Sequence, residues 1–304
     1  MIFPMLHVFL ALIASPLLLS VINRTKAFFG GRTGAPILQP YLDIAKLLRK
    51  GTVYSRTTTW IFRAAPSVEL ASVMAALAVT PLGAIPALLP FQGDLVFLAY
   101  SLGLMRFFTV SAALDTGSAF CGMGASREVQ FSALAEVALL VGLAAAACLF
   151  RVFSLTDICR QAWAAGPVSW EGGGTLLLVA ASFLVVLLAE NSRIPVDDPN
   201  THLELTMIHE VMILDHGGPD LAFIEYAAAL KFWILGSLLV SLALPLRFAD
   251  PLPDLAAGLI GLFFLAVTVG VIESVMARLK LVRVPQLLVV AGVLSFLALF
   301  DVMR

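Results

Sequence analysis

An all-α, polytopic membrane protein of about eight transmembrane helices, with both termini on the outer side, is the fold class this sequence predicts. Three observations carry the expectation. Hydrophobic residues fill 60% of the 304 positions and charged residues only 13%, about half the charged share of a soluble domain, so lipid has to solvate most of the surface. The apolar residues gather in stretches near the roughly 20 residues that a spanning helix needs. The basic residues gather in alternate connectors.

The stretches run at 1–22, 67–89, 95–114, 129–150, 175–189, 221–245, 255–277 and 284–302. The first has no basic residue ahead of its apolar run, and Arg24 and Lys26 follow it, so it reads as a spanning helix and not as a signal peptide. Pro81 and Pro86 fall inside the second, where membrane helices tolerate breakers. The connectors are short except 23–66, 151–174 and 190–220, so residues 1–304 read as a single integral membrane domain. Its cytoplasmic segments are 23–66, 115–128, 190–220 and 278–283. Thirteen of the 19 lysines and arginines fall in those segments and four in the outer ones, while Arg106 and Lys231 fall inside spans. That bias fixes the expected orientation.

The connectors differ in chemistry. Segment 23–66 sets eight basic residues against Asp43, and Gln39 to Lys50 alternates apolar and charged residues as an interfacial amphipathic helix does. Such a helix either lies at the headgroups or docks a partner. Segment 115–128, DTGSAFCGMGASRE, reads as a compact irregular connector; it lacks the preceding strand and the GxGxxG of a phosphate cradle. Segment 190–220 carries Glu190, Asp197, Asp198, Glu204, Glu210, Asp215 and Asp220 against Arg193 alone, with apolar residues from Leu203 to Leu214 between them. This predicts a loop ordered only against cytoplasmic subunits, in which Arg193 pairs with Glu190 or another acid of the loop.

Ionisable groups inside spans cost at least ~2.5–3.5 kcal/mol each and call for a reason. Arg106, Glu136 and Lys231 lie roughly 10–15 Å into their helices, and Glu225 and Glu273 lie nearer the cytoplasmic ends. A static ion network and a hydrated proton relay both account for them; five groups beside an acidic loop favour the relay. Glu136 is expected to face the bundle interior with Arg106 or Lys231 in reach. Cys121, Cys148 and Cys159 stand too far apart for a disulfide framework or a cluster site. His202, His209 and His216 recur every seven residues, about 10 Å apart on a helix, too far for one zinc shell.

Three passages carry a family likeness. LQPYLDIAKLLRK at 38–50, GMGASREVQFSALAEVA at 122–138 and AENSRIPVDDPNTHLEL at 189–205 resemble subunit 1 of respiratory complex I. The IPVDDPNTHLELTMIHE stretch and the HGG at 216–218 look closer to the membrane subunit of energy-converting [NiFe] hydrogenases of the formate-hydrogenlyase type. The resemblance implies a proton-path and coupling subunit in the cell (inner or plasma) membrane, with no catalytic residue and no cofactor on this chain. [NiFe] and iron–sulfur centres are then expected in partner subunits. Those partners would be peripheral hydrogenase-like large and small subunits, antiporter-like membrane subunits and the lipid bilayer, with no nucleic acid. The expected proton path comprises Glu136, Glu190, Glu204, Glu210, Asp197, Glu225, Lys231, Arg106, Asp115 and Glu273. The expected partner contact comprises Gln39, Asp43, Lys46, Arg193 and Asp198. The rival readings are the quinone-site subunit of complex I, a stand-alone secondary ion transporter and a passive anchor.

Overall fold

A computed structural model describes residues 2–165, 172–197, 207–244, 248 and 250–304. Eight helices among these are long and apolar enough to cross a membrane. They are α1 (Ile2–Phe29), α3 (Trp60–Ala78), α4 (Asp94–Asp115), α5 (Ala119–Phe150), α7 (Gly173–Glu190), α9 (Gly218–Ala243), α10 (Pro251–Val275) and α11 (Val284–Met303). The shorter α2 (Gln39–Leu48), α6 (Leu155–Ala165) and α8 (His209–Ile213) lie in the connectors. Because the spans alternate in direction, 30–59, 116–118, 191–197, 207–217 and 276–283 share one end of the bundle, the loop end.

Helix α9 is the axis. It packs against α1, α3, α7 and α10, and 83% of its apolar window is buried against 22% for α11. A helix that is apolar all round belongs inside. Small residues on α10 admit the close approach: a Cβ on Gly261 would lie 2.5 Å from Val240 on α9, and one on Gly270 would lie 2.7 Å from Thr25 on α1.

Three expectations are corrected. The second span is Trp60–Ala78, not 67–89: Thr59 caps its start, its hydroxyl accepting from Ile61 N at 3.3 Å. Beyond Ala78 the chain leaves the helix, and Leu82 and Ile85 bond each other across a tight turn with Gly83 at φ 59°. Hydropathy continues through Pro81 and Pro86, but proline supplies no N–H to a helix. The connector 115–128 shrinks to three residues, since α5 already begins at Ala119. Helix α5 has 32 residues, about 48 Å at 1.5 Å per residue, and its first turns rise beyond a bilayer core of about 30 Å.

The acidic loop also packs within the chain. Met207, Ile208, Val211, Met212 and Ile213 are buried, and α8 lies on α4 and α5. Gly124 makes room, because a Cβ there would meet the Ile208 carbonyl at 2.9 Å. The expected dependence on partner subunits therefore fails for 207–217, where only Leu214 among the large apolar residues stays exposed. Asp198, His202 and Glu204 lie outside the described residues.

Candidate functional site

Four helices bring their charges to one place. Arg106 on α4 reaches three carboxylates: Glu190 at 2.5 Å on α7, and Glu136 at 3.2 Å and Glu128 at 3.9 Å, both on α5. Lys231 on α9 stands 3.9 Å from the other oxygen of Glu190. The Glu190 side chain is 5% exposed, while that of Glu136 is 35% exposed. Glu136 thus has its Arg106 partner but stands on the flank of the bundle, not deep inside it. Glu190 closes the last turn of α7, so the cluster lies from mid-membrane towards the loop end.

Two further ion clusters flank it. Glu273, with its side chain fully buried on α10, holds Lys26 at 2.8 Å and Arg193 at 3.5 Å. Spacing along the chain points Arg193 at Glu190 or an acid of its own loop; it reaches α10 instead. Asp197 pairs with Arg278 at 2.7 Å, and its second oxygen accepts from the Ile208 and His209 amides at 3.0 and 3.4 Å, capping α8. A gap of about 10 Å³ lined by Glu128, Ser132, Glu190 and Asp197 sits at the lower limit for one water. A water there would join the first cluster to the third.

A larger cavity of about 380 Å³ opens beside them between α1, α2, α8 and α9. Asp43, Arg193, His209, Glu210 and Glu225 line it, Glu225 being exposed and Glu210 half-buried. Burial lowers His209 to about 4; the Lys231 cation acts the same way and the Glu190 carboxylate opposes it. His209 is therefore neutral near pH 7 and can donate with one ring nitrogen while accepting with the other. Burial also lowers His216, against Asp220 and Asp215. Its ring stacks on Phe62 at 3.9 Å between centroids and 3° between planes, so it serves packing at the loop end.

Other expected site residues stay apart. Asp115 accepts from Thr59 N and Oγ1 at 2.6 and 3.0 Å and fixes the start of α3. Gln39 donates to Asp43 within α2 at 2.9 Å, and Lys46 is exposed on the same helix. Three participants escape a reading of the sequence. Glu128 sits in the Gly- and Ser-rich run that reads as a loop. Arg278 enters only through the orientation it supports. Glu69 falls at the edge of its span by hydropathy, whereas it lies deep in α3 and fully buried. No three of His, Cys, Asp or Glu among the described residues stand together as a metal site.

The profile of the family described as NADH dehydrogenase matches residues 2–303. Formate hydrogenlyase subunit 4 of Escherichia coli (strain K12) is 28% identical over 304 residues, which cover 97% of this chain and 96% of that protein. A subunit of the NADH-quinone oxidoreductase of Syntrophotalea carbinolica is 26% identical, over 80% of this chain and 74% of that protein. Among solved structures, a chain of the membrane-bound sulfane sulfur reductase, described as an archaeal respiratory membrane complex, superposes with a TM-score of 0.82. It is 20% identical and covered to 98%, as is this chain, so it shares the fold.

Proposed function

The chain belongs to the NADH dehydrogenase family, and on that premise we propose that it is the coupling membrane subunit of a hydrogen-evolving respiratory complex, linking a peripheral redox arm to proton translocation. One observation carries the reading. Three carboxylates, Glu128, Glu136 and Glu190, share one guanidinium, and Lys231 adds a second cation that pairs within 4.0 Å with Glu190 among the described residues. A static bridge calls for matched charges. An excess carboxylate in a low-dielectric site is a place where one proton can be held and passed on.

The approach to that site suits protons. The 380 Å³ cavity offers Asp43, Arg193, His209, Glu210 and Glu225, an ionisable vestibule roomy enough for water. Apolar residues such as Leu19, Ile44 and Ile224 share that lining with the ionisable ones. The coverage of the formate hydrogenlyase relative, nearly complete on both chains, supports the hydrogenase branch over a quinone site. Helices α1 and α3 run unbroken through Pro16 and Pro66, which argues against the discontinuous helices of a stand-alone transporter. In this reading the basic loop end faces the cytoplasm of the inner or plasma membrane and meets the hydrogenase-like subunits that hold the [NiFe] and iron–sulfur centres. Antiporter-like subunits adjoin the chain within the bilayer.

The test is made on the purified complex in liposomes. It should evolve hydrogen without needing a quinone and move protons as it does so. In Glu136→Gln, proton transfer should slow roughly 10²-fold, the typical worth of a positioned transfer group, and protons moved per electron should fall. Stability should change by less than ~1 kcal/mol, as for a part-exposed pair. A variant that assembles and pumps at the normal ratio would leave the static network as the explanation.

A further inference from the structure

One buried acid stands outside every ion pair described above. Glu69 on α3 has no exposed surface, and neither carboxyl oxygen has a hydrogen-bond partner. The other buried acids differ: Glu190, Glu273 and Asp197 each meet a cation, and Asp94 accepts from Ser154 and Leu155. Its neighbours are the Thr109 hydroxyl on α4 and the Lys231 ammonium on α9. Thr109 already donates to its own helix, to the Met105 carbonyl at 3.1 Å. Arg106 lies three residues before Thr109 on the same face of α4; Arg106 reaches Glu190 on α7, and α4 packs along α3.

Lys231 is the shared element. Its contact with Glu190 is loose at 3.9 Å, and among the described residues it makes no other ion pair within 4.0 Å. A lysine is a compact point charge on a flexible stem, able to turn between two carboxyls on neighbouring helices, and α3 and α9 pack side by side. A buried carboxyl outside any ion pair is costly to hold charged, so its place here calls for a reason.

We propose that Glu69 is the inner proton acceptor of this network, loaded from Glu190 through Lys231. In the step, the ammonium gives one proton to a Glu69 carboxylate oxygen, and the amine so formed takes a proton from the Glu190 carboxyl group. An N–H bond breaks as an O–H bond forms at Glu69. An O–H bond breaks at Glu190 as the N–H is restored. Lys231 ends as it began, and one proton has moved from α7 to α3. This rests on the coupling reading above.

The experiment compares Glu69→Gln, Glu69→Asp and Glu190→Gln in the complete complex in liposomes, reading protons moved per electron. The Gln variant should slow proton transfer roughly 10²-fold, the worth of a lost transfer group, and lower the ratio. The Asp variant, which keeps a carboxyl group, should restore most of it, as a merely space-filling role would not require. A normal ratio in Glu69→Gln beside a lowered one in Glu190→Gln overturns this inference and leaves the coupling reading intact. Normal ratios in both overturn the coupling reading itself. Should Glu69→Gln fail to assemble, Glu69→Asp decides: an assembled complex with a near-normal ratio supports the proposal, and anything less overturns it.

Discussion

The two ends of the bundle hold their buried carboxylates in opposite ways. From mid-membrane to the loop end, Glu190, Glu273 and Asp197 are held by Arg106, Lys231, Lys26, Arg193 and Arg278. At the other end, the buried Asp94 and Asp254 accept from neutral donors. Asp94 takes Ser154 Oγ at 2.9 Å and Leu155 N at 2.7 Å, and Asp254 takes Phe248 N at 2.7 Å. The same end is closed by Trp163 donating to the Ser241 carbonyl and by Gly83 and Ala87 donating to Ser241 and Thr156 hydroxyls. Neutral donors fasten a carboxylate without offering it another charge to exchange with. Cations shared among several acids leave the proton count adjustable. Under the proposed coupling role, the first arrangement makes a seal and the second a path.

Three variants would break or sharpen that contrast. Arg106→Gln should have the largest effect, since it strands three carboxylates around one missing guanidinium. Removing one member of a buried ion pair costs about 3–5 kcal/mol, so the yield of assembled complex should collapse, and any complex recovered should be uncoupled. Asp94→Asn should cost about 1–3 kcal/mol, the price of imperfectly satisfied buried donors, visible as a lower melting temperature with the proton-to-electron ratio unchanged. A changed ratio there would end the distinction between seal and path. The smallest effect concerns His209. Its value in the folded protein, about 4, lies below the ordinary 6.5, so the unfolded chain binds the proton first as pH falls. The neutral ring's contribution is whole above pH 6.5 and drains away between there and about pH 4. His209→Gln should flatten that decline in melting temperature over the same window.

The spans are legible in the sequence because lipid leaves hydropathy little choice, and Arg106, Glu136, Lys231 and Glu190 are legible because a charge amid apolar residues is conspicuous. Backbone and distance stay hidden. Pro81 and Pro86 carry the hydropathy of the second span onward while the chain has already turned. The glycines, alanines and serines around Glu128 read as a loop in water, yet form a helix where protein and lipid deny the backbone other partners. The pairing of Arg193 with Glu273 joins the turn after α7 to α10, and Glu190, three residues away, is the nearer guess. Local spacing ranks candidates by proximity along the chain; the bundle ranks them by depth.

The short segment from Glu190 to Asp197 is fastened at four points. Glu190 sits in the Arg106 cluster, Arg193 grips Glu273 on α10, and Asp197 holds both Arg278 and the start of α8, while Pro195 accepts from Leu279 N at 3.0 Å. Such a segment is a crank. Pressure on α8 or on the turn after α10 is delivered to the carboxylate at the other end as displacement. At an effective dielectric near 20, drawing Glu190 from about 4 to about 6 Å from a cation removes roughly 1 kcal/mol of attraction, close to a tenfold change in where a proton rests. A movement smaller than one turn of helix is enough to reset the site.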